Sequence, residues 1–302
     1  MPADSLDLDR RVAVVTGAGA GLGRAEADAL ADAGAHVVLN DLDGGADAAA
    51  EAIRARGGQA SVVAGDIGER ATADALMAAT VDALGRLDIV VNNAGFTRDR
   101  MLFNMSDEEW DHVVRVHLRG HFLLSRNAAS HWRALSKETG APVYGRIVNT
   151  SSEASLSGSP GQPNYAAAKA GITALTLSEA RGLGRMGVTA NAICPRARTA
   201  MTEGVFGAQD DSGAEVDPLS PAHVAPLVAY LASPAAQRIN GQVFVVYGGM
   251  VALLAAPVVE QRFDASGASW DLADLDKQVG SYFEDRDPAV CFAADSVMRL
   301  EL

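Results

Sequence analysis

Arg11-Val12-Ala13-Val14-Val15-Thr16-Gly17-Ala18-Gly19-Ala20-Gly21-Leu22-Gly23 is the stretch that decides the fold. Residues 11–15 form a short apolar run that reads as a buried strand. Four glycines follow, and then an Ala-rich helical stretch to about Ala33. Strand, glycine turn and helix together are what a dinucleotide cradle requires. The glycines let the backbone approach a pyrophosphate. The helix N-terminus adds N–H groups and a partial positive charge. The spacing is T-G-x-x-x-G-x-G rather than G-x-G-x-x-G, because position 22 is Leu.

Next comes His36-Val37-Val38-Leu39-Asn40, a second strand that ends in Asp41 and Leu42. An acid roughly 20 residues beyond such glycines can bond the adenosine ribose hydroxyls and repel the extra phosphate of NADP. No Arg stands within the glycine loop to offset that, since Arg24 comes just after it. The pattern reads as NAD over NADP, the alternative for Asp41 being a solvated strand end.

Further out, short apolar runs alternate with helical stretches. This favours a single α/β domain, a doubly wound parallel sheet of about seven strands with helices on both faces. Runs 12–15, 89–91 and 243–246 are nearly all apolar, as strands covered on both sides should be. The 302 residues, 48% hydrophobic, can fill a sizeable core. A net charge of −13 argues against a nucleic-acid or membrane-surface role, though not against an anionic small molecule. Cys194 and Cys291 are too few for a disulfide framework. Cys, His and acids show no metal-ligand spacing. The first residues lack the apolar core of a signal peptide. Residues 250–259 are apolar but shorter than the roughly 20 residues a membrane span needs, and Pro257 interrupts them. A cytoplasmic location is the expectation.

Asn164-Tyr165-Ala166-Ala167-Ala168-Lys169 places a phenol and an ammonium four residues apart, and Ser152 lies thirteen residues earlier. On a helix, positions i and i+4 share a face. A free tyrosine titrates at about 10, too high for a base near neutral pH. A neighbouring positive charge favours the phenolate. Such a pair can take a proton from an alcohol or return one to a carbonyl, and Ser152 can hold the substrate oxygen. Alone, Tyr-x-x-x-Lys is an ordinary helix-surface pattern, and only its company raises it.

Taken together, these residues resemble the short-chain dehydrogenase/reductase family over roughly residues 8–249. The glycine motif falls on residues 16–23. The adenine-contacting acid falls on Asp66 in Gly65-Asp66-Ile67, and the N-N-A-G motif on Asn92-Asn93-Ala94-Gly95. Ser152, Tyr165 and Lys169 match the family's catalytic residues. Cys194-Pro195-Arg196-Ala197-Arg198-Thr199 matches its loop beside the nicotinamide. The resemblance implies a Rossmann-like fold. It also implies a cofactor held by Gly17, Ala20, Gly21, Leu22, Gly23, Asp41, Leu42, Asp66, Ile67, Asn93, Ala94, Gly95, Tyr165, Lys169, Pro195 and Thr199. Lys169 would bond the nicotinamide ribose and lower the pKa of Tyr165.

One departure stands out. Where the family usually has Asn, in a V-N-L-x-G setting, this chain has Val116-His117-Leu118-Arg119-Gly120. His117 would either keep the same backbone geometry, put an imidazole in the proton relay, or simply pack. The same segment, with 92–100, is similar to the (3R)-hydroxyacyl-CoA dehydrogenase part of peroxisomal multifunctional enzyme type 2. That similarity implies oxidation of a 3-hydroxyacyl-CoA to a 3-oxoacyl-CoA in fatty-acid or sterol side-chain breakdown. Arg98, Arg100, Arg196 and Arg198 are then candidates for CoA phosphates, or else plain solvent-exposed arginines. The motifs also suit a 3-oxoacyl carrier-protein reductase, a hydroxysteroid dehydrogenase or a secondary alcohol dehydrogenase. A nucleotide-sensing regulator is the non-enzyme alternative, and it would be expected to have lost Tyr165 or Lys169.

Two regions lie outside this pattern. Residues 199–220 carry Gly204, Gly207, Gly213 and an acidic cluster, and read as a mobile surface segment. Ser220-Pro221 then reads as an N-cap followed by a helix. Residues 250–302, beyond the 1–249 domain, carry Trp270, Tyr282, Phe283, Phe292 and Leu300. This extension is expected to pack on the core or on a neighbouring subunit, with a helix over 271–284. In the family, the helix bearing Tyr165 packs on its counterpart in a second subunit. Residues 166–180 are small or apolar on more than one face, which suits a homodimer or homotetramer.

Overall fold

The computed structural model describes residues 5–42, 44–202, 217–288 and 290–300. Most of the expected mobile segment, including Gly204, Gly207 and Gly213, lies outside the described residues.

The opening strand, β1 (Val12–Thr16), is buried along its whole length. It pairs in parallel with β2 (His36–Asp41) on one side and β4 (Ile89–Asn92) on the other. Parallel neighbours extend the sheet through β3 (Gln59–Ala64), β5 (Gly145–Thr150), β6 (Val188–Pro195) and β7 (Val243–Tyr247). The strand order is β3-β2-β1-β4-β5-β6-β7-β8. The order reverses between β1 and β4, so a crevice opens there at the C-terminal ends of the strands.

Alternate residues of each strand face opposite layers. Ala13, Val15, Ile89 and Val91 pack with α1 (Gly21–Asp32), α2 (Gly45–Ala55) and α8 (Ala225–Ala232). Val12, Val14, Val90 and Ile147 pack with α3 (Arg70–Met77) and α5 (Gly120–Thr139). Helix α4 (Asp107–Val114) opens with a capping box between Ser106 and Glu109. It then widens into a π turn, Arg115–Arg119, before continuing as α5. That widened turn buries Val116 and His117 together. Helix α7 (Pro163–Leu183) carries Tyr165 and Lys169.

The seven parallel strands match the expectation. An eighth strand, β8 (Met250–Leu253), pairs antiparallel with β7. It comes from residues read in the sequence as extension. Gly248, at φ 51°, lets the chain reverse directly after β7. The strand is four residues long on the sheet edge, and its apolar run shows no polar alternation to betray it. Farther on, Leu272–Leu275, Asp276–Gly280 and Ser281–Phe283 form the expected helical stretch, capped by Asp271. Ser220 caps only a short 3₁₀ turn, Pro221–His223, which leads into α8.

Candidate active site

A cleft of about 790 Å³ lies at the C-terminal ends of the central strands. Lining it are Gly17, Ala20, Gly21, Leu22, Asp41, Leu42, Asp66, Ile67, Asn93, Ala94, Gly95, His117, Tyr165, Lys169, Pro195 and Thr199. Gly23 and Ser152 are not part of that lining, though Ser152 hydrogen-bonds Tyr165. The cleft thus brings together nearly every residue singled out in the sequence.

The glycine turn is shaped by close approach. A Cβ on Gly23 would collide with the carbonyl of Gly17. The next strand is equally tight, since a Cβ on Gly95 would strike the His117 ring. Thr16 ties the two strands together, its Oγ1 accepting from the N–H groups of Asn93 at 3.0 Å and Ala94 at 3.1 Å. The Asn93 amide in turn donates to the Thr16 carbonyl at 3.0 Å. At the start of α1 no side chain caps Ala20, and the first turn holds no acid. Its N–H groups are therefore available to an anion.

Asp41 accepts from the Gly19 N–H at 2.8 Å and the Leu42 N–H at 2.7 Å. Its carboxylate is thereby fixed against the glycine turn. Asp66 is held differently, by Arg115 at 2.6 Å and the Gly68 N–H at 2.8 Å. Burial works to raise its pKa, but the bonds from Arg115 and Gly68 prevail and hold it below the usual range. A pyrophosphate cradle without side chains and a carboxylate closing β2 fit a nicotinamide dinucleotide.

Tyr165 and Lys169 lie on one face of α7. The Lys169 ammonium donates to the Thr150 carbonyl at 2.6 Å and sits 5.4 Å from the Tyr165 ring centroid. Only 2% of Lys169 is exposed. Burial drives its pKa down to about 7. Burial also pushes the Tyr165 phenol up to about 12, against a hydrogen bond with Ser152 that pulls the other way. The expected lowering of the phenol by Lys169 is not seen: desolvation dominates, and Ser152 alone pulls the phenol down.

His117 approaches Tyr165 edge-on, with ring centroids 5.3 Å apart. Its Nε2 lies 2.9 Å from the Phe96 N–H and 2.7 Å from the Phe96 carbonyl. Burial, helped by the Lys169 charge, pulls its pKa down to about 3. The ring is therefore neutral, and it pins the backbone that follows Asn93-Ala94-Gly95. Its Nδ1 is buried without a partner. His121, one turn on, is buried with an unpartnered Nε2 and has a pKa far below the usual value, chiefly through burial.

The sequence reading missed His121, Glu26, Phe96 and His112. His112 stacks on Phe96 at 4.5 Å and lines the cleft. The spacing of His112, His117 and His121 is regular only once a π turn widens the helix, and no residue pattern announces one. Among the described residues, no group of three or more His, Cys, Asp or Glu could hold a metal ion, and no helix is long and apolar enough to cross a membrane.

A family model described as enoyl-(acyl carrier protein) reductase matches residues 17–251. The chain belongs to the short-chain dehydrogenase/reductase family. It is an oxidoreductase acting on CH–OH groups with a nicotinamide cofactor. It is 61% identical to the hydroxyacyl-CoA dehydrogenase ChsB1 of Mycobacterium tuberculosis, over 98% of this chain and 96% of that one. It is 41% identical to the peroxisomal multifunctional enzyme type 2 of Mus musculus, over 83% of this chain and 34% of that longer protein. Among solved structures, a short chain dehydrogenase from Mycobacterium avium superposes with a TM-score of 0.83 at 43% identity, covering 95% of this chain and 99% of that one.

Glu26 gives this dehydrogenase an unusual buried carboxyl. Its side chain is fully buried on α1, and neither carboxyl oxygen has a partner. Burial raises its pKa from 4.5 to about 8, against the pull of the Lys169 charge. The folded state thus keeps a proton that the unfolded state releases at lower pH. The stability this contributes is fully present below pH 4.5 and is lost as pH rises through about 8. Glu26→Gln should therefore gain on the wild type by about 1.4 kcal/mol per pH unit between those limits, and level off above them. Urea unfolding at pH 5, 7 and 9 measures this, and a gap that stays constant with pH would contradict it.

Proposed function

We propose that this dehydrogenase oxidises a 3-hydroxyacyl-CoA to a 3-oxoacyl-CoA with NAD, in fatty-acid or sterol side-chain breakdown. The carrying observation is the half-buried Tyr165, hydrogen-bonded to Ser152 and flanked by Lys169 and His117. The similarity to ChsB1 along nearly the whole chain supports the acyl-CoA substrate.

In this reading Tyr165 receives the hydroxyl proton, and Ser152 holds the oxygen as it becomes a carbonyl. Lys169 bonds the nicotinamide ribose, and its charge favours the phenolate. His117 stays neutral and positions the Gly95–Phe96 backbone. Residues 17–23 would hold the pyrophosphate, Asp41 the adenosine ribose, Asp66 and Ile67 the adenine, and Asn93 to Gly95 would line the far side. Bound nicotinamide supplies the hydride acceptor. The preference for NAD rests on Asp41, whose carboxylate at the ribose would repel a 2′-phosphate. A cytoplasmic homodimer or homotetramer belongs to the same reading. Phe122 on α5 and Leu177 on α7 are each about two-fifths exposed, which suits helices that pair with their counterparts.

Of the four arginines considered for CoA phosphates, three have carboxylate partners. Arg100 pairs with Glu109, Arg196 with Glu153 and Arg198 with Asp217. Arg98 lines the cleft, donates to the Thr97 carbonyl and lies 4.9 Å over the Phe96 ring. It is the residue we assign to a substrate phosphate.

Three measurements test this reading. Tyr165→Phe should abolish nearly all turnover while still binding NAD, and near-normal turnover would sink the assignment. kcat/KM should be higher with NAD than with NADP, and the reverse would overturn the role of Asp41. Arg98→Ala should raise KM roughly tenfold for a 3-hydroxyacyl-CoA. The same change should leave KM for the N-acetylcysteamine thioester alone, because that analogue has no phosphates. An equal rise for both would remove Arg98 from the phosphate site.

A further inference from the structure

The last described residues, 294–300, lie against the two loops that carry Ser152 and Pro195. Glu153 follows Ser152 and Arg196 follows Pro195. The Arg196 guanidinium donates to both oxygens of Glu153, each at 2.7 Å. It also donates to the carbonyls of Val297 at 2.6 Å and Leu300 at 2.7 Å. Tyr247, at the end of β7, donates its hydroxyl to the same Leu300 carbonyl at 2.8 Å. Its ring lies 4.7 Å from the guanidinium. The short helix α6 (Ala154–Ser157) is tied in as well, since the Ala294 N–H donates to the Leu156 carbonyl at 2.9 Å. Val297 is buried in a cluster with Cys194 and Val245, against which Leu156 and Leu300 pack.

We propose that residues 294–300 position the Ser152 turn and the Pro195 loop for hydride transfer, with Arg196 as the joint. The proposal rests on the roles assigned above to Ser152 and Tyr165. Neither Arg196 nor Glu153 lines the cleft, so both act through the neighbours that follow or precede them. The joint is specific to arginine. A planar fork can serve a carboxylate edge and two carbonyls at once, whereas an ammonium is a point charge. Both side chains are almost nine-tenths buried, which leaves little water to replace a lost partner. A displacement of about 1 Å in the groups that hold the substrate oxygen costs up to roughly a hundredfold in rate.

The test uses the full-length chain and three variants, Arg196→Lys, Glu153→Gln and Tyr247→Phe. Tyr247→Phe removes a single hydroxyl that bonds the Leu300 carbonyl and interacts with Arg196, so it is the mildest change and guards against a variant that fails to fold. For each, NADH affinity is read by fluorescence, the unfolding midpoint by thermal scan, and kcat and KM well below that midpoint. The substrate is whichever 3-hydroxyacyl thioester or secondary alcohol the wild type oxidises. A wrong substrate class therefore shows in the wild type and leaves the variant ratios readable. Arg196→Lys and Glu153→Gln should lose roughly tenfold to a hundredfold in kcat with NADH affinity unchanged. Tyr247→Phe should show a smaller loss of the same kind. Variants that melt earlier but keep the wild-type kcat would make the tail a structural prop and overturn the proposal.

Discussion

One ammonium buried at the end of β5 sets the electrostatics of the site. Lys169 has the Thr150 carbonyl at 2.6 Å and almost no water. Taking a charge out of water is costly unless it is paired. Among the described residues no carboxylate bonds it directly, and burial brings its pKa to about 7. Its charge also reaches His117, His121 and Glu26. The outcome is a set of ionisable groups close to neutrality. The histidines stay unprotonated, Glu26 keeps its proton to about 8, and the Tyr165 phenol is held up to about 12. In such low-dielectric surroundings a single added charge shifts every neighbour more than it would in water. The corner around Tyr165 is thus arranged to respond to charge and to move protons.

The glycine turn depends on a different constraint, the closeness of two strand ends. Thr16 accepts three hydrogen bonds across β1 and β4, two from Asn93 and one from the Ala94 N–H. The Gly23 helix start and the Gly95 turn leave no room for side chains. His117 completes this packing by gripping the Phe96 backbone. A histidine there reaches the backbone and also presents a ring edge to Tyr165.

These constraints explain what the sequence could and could not reveal. The parallel strands were legible as buried runs such as Val12 to Val15, because apolar periodicity records burial directly. The cleft was legible for the same reason, since glycine spacing and Tyr-x-x-x-Lys are local patterns. Three kinds of feature were not legible. β8 is a short edge strand without alternation. The π turn at Arg115–Arg119 is a change of helix geometry, with no composition of its own. The pairing of Arg196 with Glu153 joins residues 43 apart, and its tie to Leu300 spans 104. The sequence shows such arginines as charged residues near a motif, and only the fold shows which have partners.

The partners of those arginines bear on how the site is built. A contact across a hundred residues carries a loop-closure cost that a surface ion pair, worth at most about 1 kcal/mol, hardly offsets. The Arg196 contact is of another kind, since one guanidinium meets a carboxylate edge, two backbone carbonyls and the face of Tyr247. Four distant segments meet there: the turn after β5, the loop after β6, the end of β7 and residues 294–300. Two of them carry the residues assigned to the substrate oxygen and the nicotinamide. The walls of the cleft are therefore coupled through one cation outside it. A change in the tail reaches the reacting groups by moving backbone, without touching the cofactor cradle at the other end of the sheet.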